Sequence, residues 1–140
     1  MSDKYFIDTN IFVYSFDQTH PVKQNRSKQL IQSGLQTGLG IISTQVIQEF
    51  LNVATRKFAT PMNLEDSTAY LRLVMNPLCQ VYPDLSLYEA GLELQGETRY
   101  SFYDSLVLAA AIRGGCEILY SEDLQNNQEI HGVVIRNPYI

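Results

Sequence analysis

The residues best suited to chemistry in this sequence are four carboxylates, each beside the end of a predicted strand or the start of a predicted helix. They are Asp8, Glu49, Asp104 and Asp123. If folding brings them together, carboxylates around 5 Å apart repel by about 3 kcal/mol per pair at an effective dielectric near 20. A divalent cation removes that repulsion, and oxygen ligands without nearby His or Cys select Mg²⁺ or Mn²⁺. Such a site activates a bound water and neutralises charge on a phosphate under attack.

Two of these acids also have a purely structural explanation. Asp8 could cap a helix that starts near Asn10. Ser101 and Asp104 have the spacing of a capping box, in which Ser101 is the N-cap residue and Asp104 bonds back to it. Both explanations remain open from sequence alone.

The remaining acids are individually ambiguous as well. Glu49 falls on the border of an apolar helix face, where a surface glutamate is equally plausible. Glu122 and Asp123 could be ordinary turn residues. The position of all the acids at one edge of a predicted sheet is what favours a shared site.

Short apolar runs alternate with helical patterns along the chain. Strands are predicted at Tyr5–Ile7, Ile41–Ile42, Cys79–Tyr82, Ile118–Tyr120 and Val133–Ile135. Helices are predicted over about 11–16, 22–35, from Ser43 or Thr44 onward, 64–75 with Pro77 closing it, 87–95 and 102–113. This alternation predicts an α/β fold with a parallel sheet of about five strands, covered by helices on both faces. The carboxyl ends of such strands share one edge, which is where the acids map.

Length and composition predict one globular domain spanning residues 1–140. Hydrophobic residues make up 45% of the 140-residue chain, which is enough for a core. The net charge of −5 argues at first against a polyanionic partner. However, the four acids and Glu122 equal the whole surplus of 15 acidic over 10 basic residues.

Membrane insertion and secretion are not expected. The longest apolar run is 106–112, far short of the roughly 20 residues that a bilayer crossing needs, and the start of the chain shows no signal-like stretch. Cys79 and Cys116 have no metal-binding spacing, so we expect two buried thiols in a reducing cytoplasm.

Five ordered segments resemble the PIN-domain ribonuclease family, and most closely its VapC-type toxins of bacterial toxin-antitoxin pairs. They are Ile7-Asp8-Thr9-Asn10, Gln48-Glu49-Phe50, Tyr103-Asp104-Ser105-Leu106, Leu119-Tyr120-Ser121-Glu122-Asp123-Leu124 and Ile135-Arg136-Asn137-Pro138-Tyr139. No single segment is specific, but their order and spacing cover essentially the whole chain.

The resemblance implies a three-layer α/β/α fold and a Mg²⁺- or Mn²⁺-dependent endoribonuclease. It places Asp8, Glu49, Asp104 and Asp123 in the family's acidic quartet. We expect Asp8, Asp104 and Asp123 to hold the metal, and Glu49 to orient the attacking water or complete the metal's ligand shell. Asn10, Ser121 and Glu122 fall at supporting positions, where Ser121 replaces a common Thr. An RNA substrate, a homodimer and a cognate antitoxin covering the active edge are also implied.

Contacts to RNA are harder to predict. Basic side chains cluster on two predicted helices and could follow phosphates, although a solvated helix face explains them as well: Lys23, Arg26, Lys28, Arg56 and Lys57. Tyr100, Phe102 and Tyr103 precede Asp104 and could stack an unpaired base or simply pack in the core.

Three rival functions are compatible with acids at strand ends. A receiver-type signalling domain would need an early acidic pair and a Lys after its last strand, and a phosphatase of the haloacid dehalogenase type would need an acid where Asn10 stands. Either would be a Mg²⁺-dependent phosphotransfer domain, and stable aspartyl phosphate on Asp8 would identify it. A non-catalytic PIN-like scaffold for protein association is the third.

Overall fold

The computed structural model describes residues 3–140; Met1 and Ser2, part of the start in which no signal stretch is expected, lie outside the described residues. Its centre is a six-stranded sheet. The strands are β1 (Tyr5–Ile7), β2 (Gly40–Ser43), β3 (Cys79–Val81), β4 (Ile118–Tyr120), β5 (Glu129–Ile130) and β6 (Val133–Arg136). Their order across the sheet is β3-β2-β1-β4-β6-β5, and neighbours are parallel except for the antiparallel β5–β6 pair.

Helices fill the connections between the parallel strands. They are α1 (Thr9–Tyr14), α2 (Pro21–Thr37), α3 (Thr44–Arg56), α4 (Leu64–Tyr70), α5 (Asn76–Leu78), α6 (Leu85–Thr98) and α7 (Phe102–Arg113), with a π-helical turn at Leu71–Met75. Because parallel crossovers are right-handed, the connections that lead from β1 outward to β3 and those that return to β4 cover opposite faces of the sheet. The predicted α/β architecture with helices flanking a mostly parallel sheet is confirmed.

The chain changes direction across the sheet between β1 and β4. The strands that follow β1 extend to one side of it, whereas β6 lies on the far side of β4. In open parallel sheets, ligands bind outside the carboxyl ends of the strands at such a switch point. This topology therefore marks the space after Ile7 and Tyr120 as the expected site.

The core lies on both faces of the central strands. Their apolar residues run without alternation because helices cover the sheet on both sides. Fully buried strand residues include Phe6, Ile7, Ile41, Ile42, Leu119 and Ile135. This packing fixes the ends of β1 and β4, which Asp8 and Asp123 follow.

The structure adds a sixth strand to the five predicted ones. The short strand β5 has only two residues, of which Glu129 is exposed, and it pairs at the outer edge of β6. A pair of residues without an apolar run gives no periodic signal, so pattern alone could not predict it.

The predicted helix over 64–75 is divided, and Pro77 does not close it. The amide of Asn76 donates to the carbonyl of Leu71, five residues earlier, which shifts the helical register. Pro77 then lies inside the short helix α5, in the first turn, where its missing N–H costs no hydrogen bond. Boundaries of the other predicted helices move by no more than about three residues.

Two further observations bear on the predictions. Cys79 and Cys116 are buried free thiols, as expected. Within residues 3–140, none of the helices has the length and apolar character that spanning a membrane requires.

Candidate active site

Asp8 is a buried carboxylate at the carboxyl end of β1. It is 8% exposed and forms the N-cap of α1, where Oδ1 accepts a hydrogen bond of 2.7 Å from the Thr9 amide. Oδ2 accepts a second bond of 2.8 Å from the Ser121 hydroxyl. Burial raises the pKa of Asp8 to about 6, and the charges of Glu49 and Asp123 add to the effect despite these two bonds. The capping explanation is therefore correct, but it leaves an ionised Asp8 unfavourable.

Glu49 reaches the same place from the second turn of α3. The side chain is half-buried, and its Oε1 accepts a hydrogen bond of 2.6 Å from the Thr9 hydroxyl. Its Oε2 accepts a longer bond of 3.4 Å from the side-chain amide of Gln45, one helical turn earlier. Glu49 is thus held beside Asp8 by neutral donors.

Asp123 follows β4 and faces the start of α1. Its Oδ2 accepts a hydrogen bond of 2.5 Å from the Asn10 side-chain amide, and its backbone amide donates to the Ser121 hydroxyl at 3.3 Å. Partial desolvation raises the pKa of Asp123, with further contributions from the charges of Asp104 and Glu122. Ser121 therefore links Asp8 to Asp123.

Asp104 lies in the first turn of α7. Its backbone amide donates to the Ser101 hydroxyl at 3.1 Å, so Ser101 caps the helix as the sequence indicates. The Asp104 carboxylate is half-buried, and its charge is one cause of the raised pKa of Asp123. The first turn of α7 thus brings a fourth carboxylate into the electrostatic range of Asp123.

Glu122 differs from the other four acids because a cation neutralises it. It accepts hydrogen bonds from the Lys23 ammonium at 2.7 Å and from the Tyr14 hydroxyl at 2.8 Å. Burial would raise the pKa of Glu122, but these two donors outweigh it and hold the pKa below its usual value. Its carboxylate is occupied, which argues against a metal-ligand role.

None of the four carboxylates forms an ion pair within the described part of the chain, residues 3–140. In the same range, no three acidic, His or Cys side chains converge tightly enough to form a ready-made metal cage. Mg²⁺ usually binds through one or two carboxylates and retains water for the rest of its shell. An open set of carboxylates with oxygen as the only ligand type, in which the pKa values of Asp8 and Asp123 are raised, therefore fits a hard divalent cation.

Two residues with supporting roles were missed from the sequence. Thr9 holds Glu49, and Gln45 contacts both Glu49 and, at 3.1 Å, the backbone carbonyl of Tyr103 on α7. Thr9 stands between Asp8 and Asn10, and Gln45 stands four residues before Glu49 on the same helix face, so spacing could have indicated both.

Two of the basic side chains of α2 make contacts within the chain. Lys23 pairs with Glu122, and the Arg26 guanidinium donates to the Pro138 carbonyl at 3.3 Å while lying 5.8 Å from the centre of the Tyr120 ring. These two residues attach α2 to the chain after β4 and β6. Lys28 remains on the surface.

Solved structures with the same fold are toxins of toxin-antitoxin pairs. One is a toxin-antitoxin complex from Klebsiella pneumoniae, with 19% identity, a TM-score of 0.68 and coverage of 97% of this chain and 98% of that one. Another is VapC20 from Mycobacterium tuberculosis, a Sarcin-Ricin loop cleaving toxin, with 18% identity, a TM-score of 0.59 and coverage of 86% and 90%. FitAcB from Neisseria gonorrhoeae has 16% identity, a TM-score of 0.61 and coverage of 96% and 98%. At these identities the likeness concerns the fold.

Comparison with the curated proteins gave no match. The family model described as PIN domain matches residues 5–127. That range contains all four carboxylates and most of the chain, so the protein belongs to the PIN domain family.

Proposed function

We propose that this chain is a divalent-metal-dependent endoribonuclease that acts as the toxin of a toxin-antitoxin pair. The observation that carries the proposal is the buried Asp8, whose raised pKa of about 6 results from desolvation and from nearby acids that no cation of the described chain neutralises. Family membership supports nuclease chemistry, and the fold is shared with a toxin described as cleaving the Sarcin-Ricin loop.

We assign the carboxylates different tasks in this proposal. Asp8, Asp104 and Asp123 hold the cation directly or through water, and Glu49 orients the attacking water or completes the shell. The bound Mg²⁺ or Mn²⁺ would supply water activation and charge neutralisation at the phosphate. Hydrogen bonds from Ser121 to Asp8 and from Asn10 to Asp123 fix the carboxylate planes without adding charge.

The proposed reaction is in-line hydrolysis of an RNA phosphodiester. A water nucleophile leaves a 5′-phosphate on one fragment and a 3′-hydroxyl on the other, and it needs no 2′-hydroxyl. Product ends therefore distinguish this mechanism from that of metal-independent ribonucleases, which use the 2′-hydroxyl.

The antitoxin expected over the active edge also has a second candidate binding site, an apolar groove next to α2 whose lining includes none of the four carboxylates. It has a volume of about 500 Å³, and its apolar lining comes from Phe16, Ile31, Leu35, Tyr70 and Val74. A groove of this type fits the apolar face of a partner helix. The similar solved structures include toxin-antitoxin complexes, which supports a protein partner. We further propose a homodimer acting in the cytoplasm.

The cleavage experiment uses the purified chain and a fluorescent single-stranded RNA, with and without EDTA. We expect cleavage only with Mg²⁺ or Mn²⁺, and 5′-phosphate on the downstream product. The variant Asp8→Asn, purified in parallel, should be inactive and folded, which excludes a contaminating nuclease. Cleavage that survives EDTA, or an Asp8→Asn variant as active as the wild type, would refute the proposal.

The partner is tested with the product of any small reading frame that sequencing finds next to this gene, and the absence of such a frame would count against the toxin role. Co-expression should relieve growth arrest caused by the chain and should yield a stable complex. The substitution Val74→Glu in the groove should break that complex while leaving RNA cleavage intact. A complex unaffected by Val74→Glu would place the partner elsewhere.

A further inference from the structure

A small pocket lies beside the acidic residues, between α3, α6 and α7. We call it the Tyr103 pocket and define it by its side chains Ser43, Gln45, Gln48, Tyr88, Phe102 and Tyr103. Gln45 connects it to the carboxylates, because its amide contacts both Glu49 and the Tyr103 carbonyl. Tyr103 also directly precedes Asp104. The pocket therefore adjoins the proposed site at Asp104 on one side and at Glu49 on the other.

The lining of the Tyr103 pocket is uncharged and includes three aromatic rings. Tyr103 is 66% exposed and Tyr88 is 40% exposed, so both keep ring surface free for a ligand. The ring of Phe102 stands edge-on to that of Tyr103, with centroids 5.9 Å apart. All the lining residues are uncharged. This favours a neutral planar ligand over a phosphate or a charged peptide.

Ser43 supplies an unused hydrogen-bonding group. It is 3% exposed and occupies the N-cap position of α3, yet its side chain makes no capping bond. Its hydroxyl has no hydrogen-bond partner among residues 3–140. Buried hydroxyls in proteins are nearly always paired, so Ser43 has a free hydrogen-bonding group that a rotation of its side chain would bring to the pocket.

The size of the pocket limits what it can hold. Its volume is about 250 Å³, whereas pockets for drug-sized ligands measure about 300–1,000 Å³. One ring system fits, and a folded peptide segment does not. Unpaired RNA bases are recognised by stacking on aromatic side chains and by hydrogen bonds to their edges, which are the two kinds of group present here.

We propose that the Tyr103 pocket binds one unpaired nucleobase of the RNA, next to the phosphate held at the carboxylates. This inference rests on the proposed endoribonuclease function and adds its base-specificity site. Tyr103 and Tyr88 stack the base, Gln48 contacts its edge, and the Ser43 hydroxyl adds a second edge contact when its side chain rotates toward the base. The pocket thereby sets which nucleotide flanks the cut.

Cleavage of an oligonucleotide panel tests the specificity role. Each RNA carries one of the four bases at each position flanking the cut, and kcat and KM are measured separately. We expect Ser43→Ala to reduce base discrimination at one position by about 5-fold, as loss of one hydrogen bond would. Tyr103→Ala should raise KM about 10-fold for every base, with kcat little changed, because stacking is lost.

Ser105→Ala is the matched control. Ser105 also carries a buried hydroxyl without a partner in the described range, but it does not line the pocket. Its loss should leave base discrimination unchanged. Equal behaviour of Ser43→Ala and Ser105→Ala, or an unchanged KM in Tyr103→Ala, would overturn the inference. Thermal melting of each variant verifies folding.

Binding without cleavage separates this inference from the proposed function. A single-stranded RNA containing 4-thiouridine is crosslinked to the wild-type chain in EDTA, and the attachment site is mapped by mass spectrometry. Crosslinks to Tyr88 or Tyr103 support the pocket even if no cleavage occurs. Crosslinks elsewhere overturn it even if cleavage is confirmed. A Tyr103→Ala variant that becomes monomeric and leaves RNA binding intact would instead assign the pocket to a second copy of the chain.

Discussion

The acids near the carboxyl ends of the strands have two opposite kinds of electrostatic surroundings. The acidic edge, consisting of Asp8, Glu49, Asp104 and Asp123, receives hydrogen bonds from neutral groups, and the pKa values of Asp8 and Asp123 are raised. The Lys23 cluster, consisting of Tyr14, Lys23 and Glu122, contains its own cation, and the pKa of Glu122 is lowered. Adjacent residues, Glu122 and Asp123, belong to different groups.

The difference shows which acids the fold leaves for an external cation. Lys23 neutralises Glu122 and lies over the Tyr14 ring, 4.7 Å from its centre, so this cluster is complete by itself. The acidic edge has excess negative charge and is balanced only when something positive binds. An acid that the chain neutralises has a structural role, whereas an acid that it leaves uncompensated at a switch point is a candidate ligand.

The largest expected effect is a difference in RNA cleavage rate between a variant of the acidic edge and a variant of the Lys23 cluster. Asp104→Asn should reduce RNA cleavage by at least about 100-fold, because it removes charge that the proposed site needs for metal binding. Glu122→Gln should keep activity within about 3-fold, since it still accepts a hydrogen bond from Tyr14. The measurement is the initial rate on one RNA. If Glu122→Gln lost as much cleavage rate as Asp104→Asn, the functional distinction between the acidic edge and the Lys23 cluster would be wrong.

The second prediction concerns stability without metal. Ionising a carboxyl group whose pKa rises from 3.8 to about 6 costs the folded state roughly 3 kcal/mol. Asn also caps helices well, so the cap is kept. Loss of the hydrogen bond from Ser121 destabilises the variant by about 1 kcal/mol. Asp8→Asn should therefore raise the free energy of unfolding by about 2 kcal/mol at pH 7 in EDTA, as measured by urea denaturation.

The pH dependence gives the sign of that effect. The folded state binds the Asp8 proton more tightly than the unfolded state, so stability falls as pH rises from about 4 to 6. The advantage of Asp8→Asn should therefore be nearly full above pH 6 and should vanish at about pH 4.5, below which the lost Ser121 bond leaves the variant slightly less stable than the wild type. A destabilised Asp8→Asn variant at pH 7 would show that Asp8 is compensated within the chain.

The smallest expected effect is a loss of stability in the Lys23 cluster, opposite in sign to the gain expected for Asp8→Asn. Glu122→Gln should lower the free energy of unfolding by about 1 kcal/mol or less at pH 7, since partly exposed ion pairs contribute little. The pKa of Glu122 is below its usual value of 4.5, so its contribution exists above that pH and is lost as pH falls through the folded-state pKa. A difference from wild type that grows on acidification would contradict the ion-pair account.

The sequence predicted the fold and the placement of the acids better than their partners. Continuous apolar runs such as Tyr5–Ile7 mark buried strands, and polar residues at strand ends mark one edge, so local pattern sufficed. The ion pair between Lys23 and Glu122 joins residues 99 positions apart, and no local signal specifies it. The unpaired hydroxyl of Ser43 likewise results from three-dimensional packing, whereas its position in the sequence suggested only a helix cap.

Magnesium titration in the absence of RNA tests the central claim most directly. Melting temperature is followed against Mg²⁺ concentration at pH 7 for wild type, Asp8→Asn and Glu122→Gln, with Na⁺ at matched ionic strength as the control for screening. We expect Mg²⁺ to raise the melting temperature of wild type and Glu122→Gln equally, and to leave Asp8→Asn unchanged. A Mg²⁺ effect of the same size in Asp8→Asn, or none in the wild type, would contradict a metal site at the acidic edge.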